Sequence, residues 1–133
     1  MKIQGEFTVG KWDEKKIGGS VEKPIASVSA TFNVSGGMNG KLNVEYLMCY
    51  SNIDKDNPHN SKAMYTGYML FNGTISGKPC SFAAEDRGAY TALGPKSGLA
   101  IIPGSGAGDF AGVSGKGGYG FKDGKMIIEF DLK

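Results

Sequence analysis

The sequence is poor in the residues from which many catalytic and metal sites are built. It contains one histidine and two cysteines, and Cys49 and Cys80 are too far apart to form a CxxC motif. With one histidine and no GxSxG motif, the sequence does not indicate the catalytic triad of a Ser-His-Asp hydrolase. We expect two buried free thiols, because this cysteine usage favours neither a disulfide framework nor a metal pair.

The only histidine, His59, lies in a polar loop at residues 51–62 with Asp54 and Asp56 nearby. The loop lacks the glycine and the distal glutamate of an EF-hand, and it lacks the further ligands of a zinc site. We therefore predict a solvated loop, no metal and no cofactor.

Long apolar runs and charge of one sign are also missing. No segment approaches the roughly 18 apolar residues of a membrane span, and the N-terminus has no apolar core of a signal peptide. The net charge is only +2, and the basic residues are scattered. These features predict a cytoplasmic protein that binds neither membranes nor nucleic acid.

Helical periodicity is absent, whereas period-two alternation is common. The pattern predicts a single all-β domain over residues 1–133, with little or no helix. Asn-Gly, Ser-Gly and Asp-Gly pairs at residues 39–40, 76–77 and 123–124 predict hairpin turns. The predicted strands are residues 2–9, 26–34, 42–50, 64–74, 79–90, 99–102, 116–121 and 126–132.

Eight sequential antiparallel strands are about the number that closes into a small barrel. Closure also removes the unpaired edges of a sheet. We predict a closed antiparallel eight-stranded β-barrel, with a two-sheet sandwich as the alternative.

The third and fourth predicted strands are apolar on both faces. On the third strand, Leu47 and Cys49 lie on the face opposite to the apolar residues that include Tyr46. On the fourth strand, Tyr68 and Leu70 lie on the face opposite to another set of apolar residues. Because a strand that is apolar on both sides must be covered on both sides, we predict a homo-oligomer, most simply a two-fold dimer.

Residues 103–120 are dense in glycine, and residues 106–111 match the loose dinucleotide pattern GxGxxG/A. That pattern needs a helix after it, and the following glycines exclude one. We interpret the segment as a connection between two barrel strands, with Phe110 filling one end of the barrel.

Carboxylates on strands are the candidate acid or base groups, because burial in a barrel raises their pKa. Asp86 shares the parity of Phe82 and is expected to point inward, whereas Glu85 and Arg87 point outward; the direction of Glu45 is left open. We name Glu45 and Asp86 as catalytic candidates. The candidate ligand contacts are Tyr46, Tyr50, Tyr65, Tyr68, Met69 and Arg87.

Several motifs resemble the bacterial family catalogued as domain of unknown function 3224. They are residues 5–14 (GEFTVGKWDE), 45–50 (EYLMCY), 71–74 (FNGT) and 103–115 (PGSGAGDFAGVSG). The resemblance implies a barrel similar to allene oxide cyclases, with a modest interior cavity, but it implies no activity.

We therefore predict a barrel that binds a small apolar or amphipathic molecule. One alternative is a cofactor-free isomerase or cyclase that uses Glu45 or Asp86. Another is a structural or interaction barrel that is filled by its own side chains.

Overall fold

The computed structural model describes residues 1–57 and 60–133, so the predicted loop environment of His59 lies outside the described residues. Within those ranges the chain forms β-strands and no helix that is long and apolar enough to cross a membrane. The strands are β1 (Lys2–Gly19), β2 (Pro24–Gly36), β3 (Met38–Asn52), β4 (Lys62–Ile75), β5 (Lys78–Thr91), β6 (Gly94–Ile101), β7 (Ala107–Gly108), β8 (Gly115–Lys122) and β9 (Lys125–Leu132).

Eight of these strands close into one antiparallel ring. The ring runs β1, β2, β3, β4, β5, β6, β8, β9 and back to β1, and the pairing of β4 with β5 completes it. The short strand β7 pairs with β5 and is not part of the ring. The closed ring confirms the predicted eight-stranded barrel, since two separate sheets would each leave unpaired edges.

β1 is longer than the sequence pattern predicts. The alternation stops after Val9, yet β1 continues to Gly19 past a register shift between Val9 and Lys11. Beyond the shift β1 pairs with β2 but not with β9, so it forms a sheet edge there. Most of its side chains in this part are exposed on both faces, and no burial constraint imposes an alternating pattern.

Two of the three predicted hairpin turns are confirmed. Residues 76–77 join β4 to β5 and residues 123–124 join β8 to β9, with positive φ at all four positions, as a type I′ turn requires. The third prediction is wrong, because residues 39–40 lie within β3 and the connection between β2 and β3 falls at Gly37. Met38 is fully buried, and the earlier turn keeps its side chain in the core.

Large apolar side chains fill the end of the barrel that contains the 76–77 turn, which we call the closed end. The part of the glycine-rich segment that contains β7 also lies there, because β7 pairs with the start of β5. Phe110 packs against the core and Val113 is buried, which agrees with the predicted position of Phe110. Fully buried side chains in this part include Phe71, Phe82, Phe130, Met38, Leu42 and Ile75.

The opposite end is the open end, where the turn between β5 and β6 and the exposed edge of β1 lie. The inward face of β3 is now settled. Val44, Tyr46 and Met48 are buried inside the barrel, whereas Glu45 and Leu47 are exposed on its outside.

Four large apolar side chains lie exposed on the outside of β3 and β4, and we call them the outer apolar face. They are Leu47, Met64, Tyr68 and Leu70. Their exposure agrees with the two-sided apolar pattern of these strands, and the homo-oligomer stays a prediction.

We expect light scattering at micromolar concentration to give a mass above that of the monomer, because a second copy would cover this face. Tyr68→Lys should shift the mass to the monomer, since it places a charge in the apolar contact. Phe121→Lys is the matched control, because Phe121 is similarly exposed but lies on β8, away from β3 and β4. A monomer mass for the unmodified chain would exclude the oligomer.

Candidate functional site

Inside the barrel, a buried hydrogen bond joins a side chain of β3 to a side chain of β5 and passes over a glycine of β4, the strand between them. Tyr46, Gly67 and Asp86 are register partners on β3, β4 and β5. The Tyr46 hydroxyl donates to Asp86 Oδ2 at 2.9 Å, and Asp86 is completely buried. A Cβ atom at Gly67 would lie 1.8 Å from the carbonyl oxygen of Glu45, so glycine is required there. With no side chain at Gly67, those of Tyr46 and Asp86 meet.

The next inward row repeats this arrangement. Tyr65, Gly88, Ser97 and Tyr119 are successive partners on β4, β5, β6 and β8. The Tyr65 hydroxyl is hydrogen-bonded to Ser97 Oγ across Gly88. A Cβ atom at Gly88 would lie 2.6 Å from that hydroxyl and 2.7 Å from Ser97 Oγ. Two inward glycines thus leave room for two polar pairs inside an otherwise apolar barrel.

The two rows are joined by a tyrosine pair whose donor can be assigned. The Tyr46 and Tyr119 hydroxyl oxygens are 2.5 Å apart. A phenol has one proton to donate, and an ionised carboxylate can only accept. Because Tyr46 uses its proton on Asp86, Tyr119 must donate to Tyr46. The protons therefore run from Tyr119 through Tyr46 to Asp86 while Asp86 is ionised.

Burial dominates the electrostatics of this group, which we call the polar cluster: Tyr46, Tyr65, Asp86, Ser97 and Tyr119. Desolvation raises the pKa of Asp86 to about 6, although the hydroxyls of Ser97, Tyr46 and Tyr119 act in the opposite direction. The Oδ1 atom of Asp86 has no hydrogen-bond partner among the described residues. Burial also raises the pKa of all three tyrosines, which therefore stay neutral.

A cavity of about 220 Å³ lies beside the polar cluster and toward the open end. The rings of Tyr46, Tyr65 and Tyr119 form part of its wall, while their hydroxyls are hydrogen-bonded to Asp86, to Ser97 or to each other. The wall is thus almost entirely apolar. The lining residues are Phe7, Val9, Trp12, Phe32, Tyr46, Met48, Tyr65, Tyr90, Pro95, Tyr119 and Met126.

A wider and more polar vestibule of about 580 Å³ adjoins the cavity and shares Trp12, Met48 and Tyr90 with it. Glu14 organises its rim. One carboxylate oxygen of Glu14 accepts a hydrogen bond from the Trp12 indole at 3.1 Å, and the other accepts from the Tyr50 hydroxyl at 2.7 Å. Burial, together with this hydrogen bond, raises the pKa of Tyr50.

Some of the residues predicted from the sequence come together at this site. Asp86, Tyr46 and Tyr65 belong to the polar cluster, and Asp86 points inward as its parity predicts. Tyr50 lies in the vestibule. Met69 is buried in the core, but it is not among the residues that line the cavity.

The other predicted residues lie outside the barrel. Glu45, Tyr68 and Arg87 are exposed on the outer surface of β3, β4 and β5. The Glu45 carboxylate accepts a hydrogen bond from the Ser29 hydroxyl, and Arg87 forms an exposed ion pair with Glu85. The structure therefore does not bring Glu45 together with Asp86.

Sequence reasoning missed Ser97 and Tyr119. Tyr119 lies in the glycine-rich segment, which the sequence presents as a connection, although it alternates with glycine along β8. Ser97 shares the inward parity of Leu99, and that parity was the available signal. The inward glycines Gly67 and Gly88 were a further signal, since a glycine inside a strand marks a close approach.

Fold and site together define an all-β barrel with a small apolar cavity beside a buried tyrosine and carboxylate cluster. The chain belongs to the family described as protein of unknown function (DUF3224), which matches residues 3–132. No curated protein matches the chain.

Solved structures with a similar fold include the following two. One is the crystal structure of a DUF3224 protein of unknown function from Shewanella oneidensis MR-1, with 21% identity and a TM-score of 0.78, covering 100% of this chain and 96% of that one. The other is a pyocyanin demethylase, with 15% identity and a TM-score of 0.54, covering 100% of both chains. At these identities the likeness concerns the fold.

The raised pKa of Asp86 predicts a dependence of stability on pH. The unfolded chain loses this proton near pH 3.9, whereas the folded chain keeps it to about pH 6. Between these values the unfolded state binds fewer protons, so the free energy of unfolding falls as pH rises. We expect Asp86 to contribute a loss of up to about 3 kcal/mol across that window, and little further change above it.

Urea unfolding of the unmodified chain and of Asp86→Asn at a series of pH values checks this prediction. The difference between the two should change across the window, whereas Glu85→Gln should have a much smaller effect on the free energy of unfolding, because it removes only an exposed ion pair. A constant difference for Asp86→Asn would show that Asp86 titrates normally.

Proposed function

We propose that this protein binds a small apolar molecule, and that the ligand occupies the cavity at the open end of the barrel. The observation that supports this most strongly is the contrast between the two ends. Large side chains fill the closed end, whereas the open end keeps a space with an almost entirely apolar wall. A barrel with a purely structural role has no need of such a space.

The size of the cavity limits the ligand. At about 220 Å³ it is smaller than most drug-binding pockets. An apolar cavity of roughly 150 Å³ in another protein is large enough to bind benzene. A molecule of one aromatic ring with a few substituents is therefore a suitable occupant.

The structural neighbours are consistent with this proposal. One of them is, by its name, an enzyme that demethylates pyocyanin, so a protein of similar fold acts on a small molecule. The proposal for the present chain depends on its own cavity, because the shared feature is the fold.

Titration with tert-butylbenzene tests the proposal. The single tryptophan of the chain, Trp12, lines the cavity, so we expect its emission to change and to saturate as the ligand enters. Met126→Trp should fill the cavity and weaken binding, measured by calorimetry, by about tenfold or more. Leu70→Trp, the same kind of change on the outer surface, should leave binding unchanged. No saturable binding to the unmodified chain would contradict the proposal.

A second candidate function is cofactor-free acid and base catalysis on the bound molecule. The observation that favours it is the chain of hydroxyls from the cavity wall to Asp86, a carboxyl whose pKa of about 6 suits proton transfer near neutral pH. In this role the Tyr119 oxygen would take a proton from a carbon atom next to a carbonyl group while its own proton passes to Tyr46 and the Tyr46 proton passes to Asp86, and the reverse transfers would return a proton at another position.

Deuterium exchange tests this candidate. With 2-tetralone in D2O, we expect the protein to speed exchange at the carbon atoms beside the carbonyl above the rate in buffer, measured by proton NMR. Asp86→Asn should remove the acceleration. Glu45→Gln, which changes an exterior carboxylate, should retain it. A rate equal to that in buffer would exclude the activity on this probe.

A further inference from the structure

We propose that the ligand of the cavity is an organic cation, an apolar molecule that carries a positive charge such as an alkylated ammonium group. The inference rests on the proposed binding function and specifies the class of ligand. It is carried by the aromatic wall, by the unpartnered carboxylate oxygen behind that wall, and by the hydrogen bonds that join the two.

Aromatic rings dominate the cavity wall. Those of Phe7 and Phe32 are stacked with centroids 4.9 Å apart, and the ring of Tyr119 packs against Phe7 at 5.4 Å. The faces of aromatic rings carry negative potential, and cages of such rings bind alkylated ammonium groups. The aromatic lining residues are Phe7, Trp12, Phe32, Tyr46, Tyr65, Tyr90 and Tyr119.

The charge behind this wall is negative and is not neutralised. Asp86 is completely buried, forms no ion pair among the described residues, and leaves Oδ1 without a partner. No lysine or arginine is among the residues that line the cavity. A buried, uncompensated charge is costly, and a cation in the adjacent cavity would lower that cost.

Hydrogen bonds carry the effect of the carboxylate to the rings. Tyr46 donates to Asp86 and Tyr119 donates to Tyr46, so negative charge from the carboxylate shifts toward the phenol oxygens and rings of these two donors. At the mouth, Glu14 accepts from the Trp12 indole in the same way. A carboxylate thus polarises an aromatic ring at the floor of the cavity and another at its mouth.

The vestibule does not reverse this preference. Lys16 and Lys55 line it, but Glu14 and Asp54 line it as well, so its formal charges balance. The groups that face Asp86 from neighbouring strands are Tyr46 on β3, Tyr65 on β4, Ser97 on β6 and Tyr119 on β8, and all are neutral. Asp86 therefore decides the charge that the cavity prefers.

Two probes of nearly the same shape test the inference: phenyltrimethylammonium, which is cationic, and tert-butylbenzene, which is neutral. We expect the cation to bind about tenfold more tightly or better above pH 7. The ratio of the two affinities should fall as the pH drops through about 6, because Asp86 then becomes neutral. The unmodified chain alone supplies this result, so it does not depend on whether a variant folds.

Variants then locate the effect. Asp86→Asn should reduce the ratio of affinities toward one at every pH, and Tyr46→Phe should reduce it in part, since the ring stays while the hydroxyl link is lost. Glu85→Gln, on the outer surface of the same strand, should keep the ratio and its pH dependence.

The outcomes separate this inference from the proposed function. Equal affinities for the two probes, or tighter binding of tert-butylbenzene, would overturn the inference and leave the cavity as a site for neutral molecules. Binding of neither probe would count against the proposed function itself. A preference for the cation that Asp86→Asn does not reduce would also overturn the inference as argued here.

Discussion

The cost of burying one carboxylate shapes the interior of this barrel. Asp86 lies where water does not reach it, and Tyr46 supplies the hydrogen bond that keeps it there. That bond requires Gly67 between the two strands, because a side chain at this position would collide with the backbone of β3. Tyr119 in turn satisfies the Tyr46 hydroxyl. The cavity lies beside this cluster, and the rings of Tyr46, Tyr65 and Tyr119 form part of its wall while their hydroxyls bond to Asp86, to Ser97 or to each other.

The burial of Asp86 also accounts for the difference between the two ends of the barrel. Phenylalanine and aliphatic side chains fill the closed end and contribute most of the apolar burial that stabilises the fold. The open end carries the polar cluster and an unfilled space, so it contributes less to stability. Features that lower stability and that the fold does not require are typical of functional sites. Asp86 is such a feature, because it is buried and its Oδ1 atom has no hydrogen-bond partner among the described residues.

The fold was more predictable from the sequence than the site. Strict alternation in β2 and in the first part of β1, together with the turns at 76–77 and 123–124, specified sequential antiparallel strands and hence closure. Parity along β5 placed Asp86 inside. Tyr119 was not predictable in this way, because it joins the polar cluster from β8, which is far from β5 in sequence, whereas the parity of Ser97 with Leu99 was an available signal. The end of β1 was missed for a different reason: an exposed edge strand has no apolar face to impose a pattern.

Titration of the Asp86 carboxyl carbon by NMR, with the chain labelled with carbon-13, is the most direct test of whether a buried carboxylate organises the site. We expect a midpoint at about pH 6, because desolvation opposes ionisation more strongly than the surrounding hydroxyls favour it. A midpoint near 4, the value for a carboxyl group in water, would show that Asp86 is solvated and would contradict the proposed arrangement.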